Sequence, residues 1–189
     1  MNPRNLETAW DDWEQGRRPV AGIIDELLKE KEGPITMLDY GCANGLFLFS
    51  TQRWSEHDIE PFGYDTDKKR ISAARELFPQ QSMQFATKGK LESLPASFDI
   101  VFWNLWDNWH FLGPDREKRL GLFRNLLERS GHLILGLYDK DPKERQRKLK
   151  ELAGLGYEPL GTRDSATGHE TFAWFKGTGE PEIAVDNYR

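Results

Sequence analysis

The chain has 189 residues, 38% hydrophobic and 30% charged, with a formal net charge of −5 and a mean hydropathy of −0.71. That length suits one domain with a proper core and would leave two full domains cramped. The composition excludes a disordered or fibrous chain, and the acidic balance speaks against a nucleic-acid partner, because phosphate binding draws on a surplus of Lys and Arg.

Elements follow in chain order. Asn5–Gln15 predicts a short helix, and Val20–Lys31 a second one through Ile23, Ile24, Leu27 and Leu28 at helical spacing. Ile35–Tyr40 predicts a strand between Gly33-Pro34 and Gly41. Leu46–Phe49 opens a helix, Ile59–Tyr64 forms a strand, and Asp67–Phe78 forms a helix ended by Pro79. Strands at Met83–Ala86 and Phe98–Trp103, a helix at Asp115–Glu128, a strand at His132–Tyr138 and a helix at Pro142–Ala153 come next. Tyr157–Arg163 and Glu170–Phe175 close the chain as a hairpin around Ser165–Gly168. Such alternation means βαβ crossovers. The expected fold is α/β: a doubly wound, mainly parallel seven-stranded sheet with an antiparallel C-terminal hairpin strand and helices on both faces. A single domain is expected over 1–176, with N-terminal helices in 1–32, the core in 33–176 and a tail in 177–189.

Cys42 is the single cysteine, so no disulfide can form within the chain and thiolates cannot build a zinc site; no metal is expected, and a reducing cytoplasmic setting is. Met1–Trp10 is polar where a signal peptide needs an apolar run, and no stretch approaches the ~20 apolar residues of a membrane span, so no membrane partner is expected.

The segment richest in chemistry is Leu38-Asp-Tyr-Gly-Cys-Ala-Asn-Gly-Leu-Phe47, an acidic residue at a strand end followed by a glycine-punctuated turn into a helix. Gly41 and Gly45 let the backbone turn sharply and lie close to a ligand, at the sheet edge where doubly wound folds bind them. About 20 residues beyond Gly45, Asp65 ends the second strand, where a carboxylate can accept both ribose hydroxyls. A dinucleotide site prefers three glycines spaced G-x-G-x-x-G. Here only Gly41 and Gly45 are present, and Asp39 would repel a pyrophosphate but attract the ammonium of a methionine moiety. The pattern therefore favours S-adenosylmethionine.

On these residues the chain resembles the class I S-adenosylmethionine-dependent methyltransferases, especially the small bacterial type with little beyond a Rossmann-like core. The likeness runs from about Val20 to Lys176 and includes Leu94-Pro95, Ser97–Phe102 and the final hairpin. It implies that Asp39, Gly41, Cys42, Ala43, Asn44 and Gly45 hold the methionine part, with Asn104 near it, and that Asp65 and Thr66 hold the ribose. Where the family often places an aspartate against the adenine, this chain has Lys90, and lysine cannot accept that bond. Backbone groups at Lys90 and Leu91 are expected to serve instead. An asparagine-proline-proline-aromatic pattern after the fourth strand, the mark of base and glutamine methylation, is missing.

Acceptor candidates lie in Trp103–His110, which in the family faces the transferable methyl. Trp106, Asp107 and Trp109, with Trp10 and Trp13 from the first helix, are expected to line the acceptor site, and His110 is the candidate general base. Each has a plainer reading. The tryptophans at three-residue spacing equally suit a core stripe, Asp107 and Asn108 suit a turn cap, and a lone histidine suits packing. The basic run Lys140–Lys150 reads as a solvated helical face. A small-molecule acceptor is the first expectation; a protein or RNA acceptor, or a non-catalytic cofactor-binding module, are the alternatives.

Overall fold

The computed structural model of the chain describes residues 11–105 and 116–177. Helical residues 11–17 (α1) are followed by α2 (Pro19–Leu27), β1 (Ile35–Tyr40), α3 (Leu46–Trp54), β2 (Ile59–Asp65), α4 (Lys68–Leu77), β3 (Phe85–Thr87), β4 (Phe98–Asn104), α5 (Arg116–Asn125), β5 (Leu127–Tyr138), α6 (Pro142–Gly154), β6 (Gly161–Asp164) and β7 (Glu170–Lys176). The strands form one sheet in the order β3-β2-β1-β4-β5-β7-β6. β1 to β5 run parallel to one another, while β7 runs antiparallel between β5 and β6.

Strands buried on both faces need near-continuous apolar sequence. Phe98-Asp-Ile-Val-Phe-Trp103 supplies it, with residues 98–103 of β4 all buried. On one face Ile23 and Ile24 of α2, Leu48 of α3 and Ile71 and Ala74 of α4 pack on Ile35, Met37, Ile100 and Ile134. On the other, Leu120 and Phe123 of α5 and Leu152 of α6 pack on Leu38, Val101, Leu133 and Leu135. Helices thus cover both faces, as the alternation predicts. Every β-to-α connection from β1, β2, β4 and β5 leaves from the same carboxyl edge. At the next helix starts, Asp67 accepts from the amides of Lys69 and Arg70 (2.8 and 3.4 Å), and Asp141 accepts from Lys143 (2.8 Å).

Four predicted boundaries are corrected. The helix predicted to reach Lys31 ends at Leu27, where Leu28 caps it by donating its amide to Ile24. The strand at Met83–Ala86 begins at Phe85, because Pro79–Gln84 closes as a 3₁₀ turn that leaves Met83 86% exposed. The helix predicted to reach Glu128 stops at Asn125 and β5 begins at Leu127, opposite Phe98; pairing then slips before Ile100 meets His132. Gly131 permits that slip, since a Cβ there would stand 2.8 Å from the Phe98 carbonyl oxygen. The strand predicted from Tyr157 begins at Gly161: the Tyr157 amide donates back to Leu152 of α6, and its buried ring packs on Phe175 under the Arg124 guanidinium. No helix among the described residues is long and apolar enough to cross a membrane.

Candidate functional site

After Tyr40 the chain turns through five residues into α3. Gly41 (φ 94°), Ala43 (φ 50°) and Gly45 (φ 77°) all take left-handed backbone conformations. The amides of Gly41 and Cys42 both donate to the Tyr64 carbonyl (2.7 and 3.0 Å), that of Gly45 donates to the Cys42 carbonyl (2.9 Å), and Asn44 Oδ1 accepts from Leu46 (3.3 Å). The turn is thereby tied to β2. Among the described residues nothing lies within 4 Å of where a Cβ would stand at Gly41, so the backbone there is left open by them; at Gly45 a Cβ would press on Phe78 and Ala74. The Cys42 thiol points inward over Gly63, and burial pushes its pKa up, leaving it a small apolar packing group. Ala43 alone in the turn takes positive φ with a Cβ, a costly conformation for an L residue. Ala43→Gly is expected to stabilise the protein by about 0.5–1 kcal/mol, the relief outweighing glycine's extra unfolded-state entropy. A shifted urea midpoint at unchanged slope would show it.

Asp65, 7% exposed, holds two loops together: Oδ2 accepts from the Ala43 amide (2.9 Å) and Oδ1 from the Asp67 amide (2.8 Å). Thr66 beside it is exposed. Asp39, 4% exposed, ends β1 one strand away. Burial drives its pKa to about 7, with the Arg17 guanidinium pulling the other way and Asp65 adding to the rise. Among the linkage consequences, the sign is fixed. A carboxyl whose folded pKa exceeds its unfolded value stabilises fully below about pH 4, and that stability is lost as pH rises towards 7. Asp39→Asn is therefore expected to be more stable than the parent at pH 8 and equal to it near pH 4; thermal unfolding at the two pH values measures this.

Sequence reasoning missed Arg17 and Glu170. Arg17, on α1 and 8% exposed, places Nη1 2.7 Å from both carboxylate oxygens of Glu170, the first residue of β7. Asn104 at the end of β4 donates Nδ2 to Glu170 Oε1 (2.7 Å). Glu170 lies across β5 at Gly136, where any Cβ would collide with its Oε1. The two ionic partners are 153 residues apart, so no local pattern announces them. An acid opening an otherwise apolar strand was the one available signal.

At the end of β3, Thr87 Oγ1 is buried without a hydrogen-bond partner among the described residues. In the following loop the Lys90 amide donates to the Thr87 carbonyl (2.9 Å), and its carbonyl accepts from Ser93 Oγ (2.7 Å), so both backbone groups of Lys90 are engaged while its side chain is exposed. Leu91 packs against the apolar core. Trp13 rests its ring on Trp54 at the end of α3 (5.6 Å between centroids). Trp103 is core, packed on Phe123 (4.9 Å). Trp10, Trp106, Asp107, Asn108, Trp109 and His110 lie outside the described residues.

A mostly parallel seven-stranded sheet closed by an antiparallel pair, with a glycine turn after its first strand, is the Rossmann-like methyltransferase fold. The chain belongs to the family described as "Methyltransferase domain", whose model matches residues 31–175. No curated protein sequence matches it. Among solved structures it is similar to a SAM-dependent methyltransferase from Aquifex aeolicus: 16% identity, 94% of this chain and 100% of that one, TM-score 0.63. A TehB-like SAM-dependent methyltransferase from Corynebacterium glutamicum shares 17% identity over 94% and 100% of the chains (TM-score 0.57). An RNA methyltransferase from Salinibacter ruber in complex with S-adenosylhomocysteine shares 15% over 88% and 97% (TM-score 0.53). At these identities the likeness speaks to the fold.

The residues present fit the cofactor. Among the described residues, the space left at Gly41, the buried acids Asp39 and Asp65, and the Thr87 hydroxyl without a partner would offer room, a cation partner, hydroxyl acceptors and one further polar contact along a single edge.

Proposed function

We propose that this edge binds S-adenosylmethionine with the turn from Asp39 to Gly45 (Gly41, Cys42, Ala43, Asn44) and Asn104 around the methionine moiety, Asp65 and Thr66 at the ribose, and Lys90 and Leu91 by the adenine. The observation that carries the reading is the open backbone at Gly41 between two buried carboxylates. Asp39 would meet the ammonium, and Asp65, already steadied by two amides, keeps lone pairs for the ribose hydroxyls. The cofactor supplies an electrophilic methyl on a sulfonium, so the protein's task at the reacting centre is to hold the acceptor in line. Positioning of that kind can remove ~7–11 kcal/mol of a barrier.

The acceptor is proposed to be a small molecule, lined by Trp10, Trp13, Trp106, Asp107 and Trp109, with His110 taking its proton where one must leave. Supporting this, the segment after Leu105 leaves β4 at the same edge as the cofactor turn, and α1 carries both Trp13 and the edge-bound Arg17 one turn apart. The lone thiol Cys42 suits a reducing cytoplasm. Transfer of labelled methyl to metabolite, peptide and RNA pools tests the reading. Label entering only metabolites supports it. Label entering RNA or peptide replaces the acceptor class, and tight cofactor binding with no transfer to any pool removes catalysis.

A further inference from the structure

Among the described residues, three buried side-chain atoms find no hydrogen-bond partner: Gln84 Oε1, His132 Nδ1 and Thr87 Oγ1. A buried polar atom left unsatisfied is costly, so each asks for a reason. Gln84 precedes β3, and His132 pairs with Ile100 near the start of β4, so both lie towards the amino edge. Thr87 instead ends β3 at the carboxyl edge, in register with Asp65 at the end of β2. We propose that the Thr87 hydroxyl oxygen accepts from the exocyclic amino group of the cofactor's adenine, and is the residue by which this chain tells that base from one without the group. This rests on the reading that Asp39 and Asp65 hold the methionine and ribose ends.

Strand order sets the direction. β2 lies between β1 and β3. With the methionine end at the β1 turn and the ribose at Asp65, the base is carried onto β3, whose last residue stands one strand spacing from Asp65, about 4.8 Å. Other groups there are poorer acceptors. The Lys90 side chain only donates, its amide is bonded to the Thr87 carbonyl, and its carbonyl already accepts from the amide and hydroxyl of Ser93 (3.1 and 2.7 Å). Glu92 is exposed, so water competes for it. The Thr87 hydroxyl is screened from water, and no bond to a described residue holds it inward. The residue as a whole is half-buried, so rotation about Cα–Cβ into another staggered well can carry the hydroxyl to the rim. Without ligand the hydroxyl burdens the fold; with ligand it is satisfied. Removing it should therefore stabilise the free protein and weaken the ligand, a pairing of signs that damaged packing cannot produce.

The experiment is calorimetric titration of the full chain with S-adenosylhomocysteine and with its analogue bearing hydrogen in place of the adenine amino group. The parent should bind the amino compound about 3- to 10-fold more tightly than the analogue. In Thr87→Val, which keeps the shape and the branching at Cβ, the two should bind alike, at the parent's affinity for the analogue. The ligand-free variant should melt at or above the parent's temperature. Thr87→Ser should restore the preference, and Glu92→Ala should leave it intact. Equal binding of both compounds to the parent, a preference kept in Thr87→Val, or a preference lost in Glu92→Ala instead overturns the proposal. So does a Thr87→Val chain that melts well below the parent, since the fold would then need the hydroxyl. Asp65→Ala separates the two readings. If it leaves S-adenosylhomocysteine binding unchanged, or the parent binds neither compound, the reading of the edge falls and this proposal with it. If it weakens both compounds while Thr87→Val alters neither, the edge stands and only the role of Thr87 is dismissed.

Discussion

Asp65→Ala should weaken binding of S-adenosylhomocysteine by about 2–4 kcal/mol, roughly 30- to 700-fold. Two losses combine. The ribose hydroxyls lose a charged acceptor, and the amides of Ala43 and Asp67 lose the carboxylate that ties the cofactor turn to the start of α4. Asp65→Asn, keeping one acceptor oxygen but adding a donor where an amide already points, should fall between the parent and alanine. Calorimetry decides; unchanged affinity in the alanine variant would end the ribose assignment.

Asp99→Ala should instead cost stability, about 2–4 kcal/mol, or some 5–15 °C in melting temperature for a chain this size. Asp99 opens β4 at the amino edge and is 5% exposed. Its Oδ1 accepts from Lys31 Nζ (2.7 Å), its Oδ2 accepts from the Thr36 amide and hydroxyl (both 2.9 Å), and its own amide donates to Thr36 Oγ1 (3.0 Å). Removing the carboxylate strands buried donors on β1, although Lys31, one-third exposed, can turn to water and soften the loss. Five residues of strand, about 16 Å, separate Asp99 from the cofactor edge at Asn104. Cofactor affinity measured well below the melting point should therefore hold, and a proportional fall in affinity would show the two edges to be coupled.

The turn from Asp39 to Gly45 was legible because its constraints are local: glycine at positive φ and an acid at a strand end are written in consecutive residues. Helix starts at Asp67 and Asp141 were legible for the same reason, each side chain bonding amides two or three residues on. Boundaries at Phe85, Leu127 and Gly161 were not. They are set by distant partners: Gly63 for the start of β3, the Phe98 carbonyl for the slip in β5 and Trp174 for the start of β6. Glycine at 131 falls between two predicted elements and glycine at 161 inside a predicted strand, and each serves in space to let a backbone or an indole ring through. Arg17 and Glu170 were illegible for the same physical reason at its extreme, since their pairing exists only once the sheet has brought β7 between β5 and β6.

That strand order also has a kinetic side. β7, the last strand of the described chain, lies inside the sheet, where it alone bridges β5 to β6. Contacts of such long sequence separation pay their loop-closure entropy late and slow a fold's formation. On an emerging polypeptide, β1 to β5 can assemble while β7 is still being made, but the ion pair that ties Arg17 of α1 to the sheet forms only when Glu170 arrives. Docking of the N-terminal helix thus reports that β7 is in place, and a pulse-labelling experiment should find the Arg17 region among the last amides to gain protection.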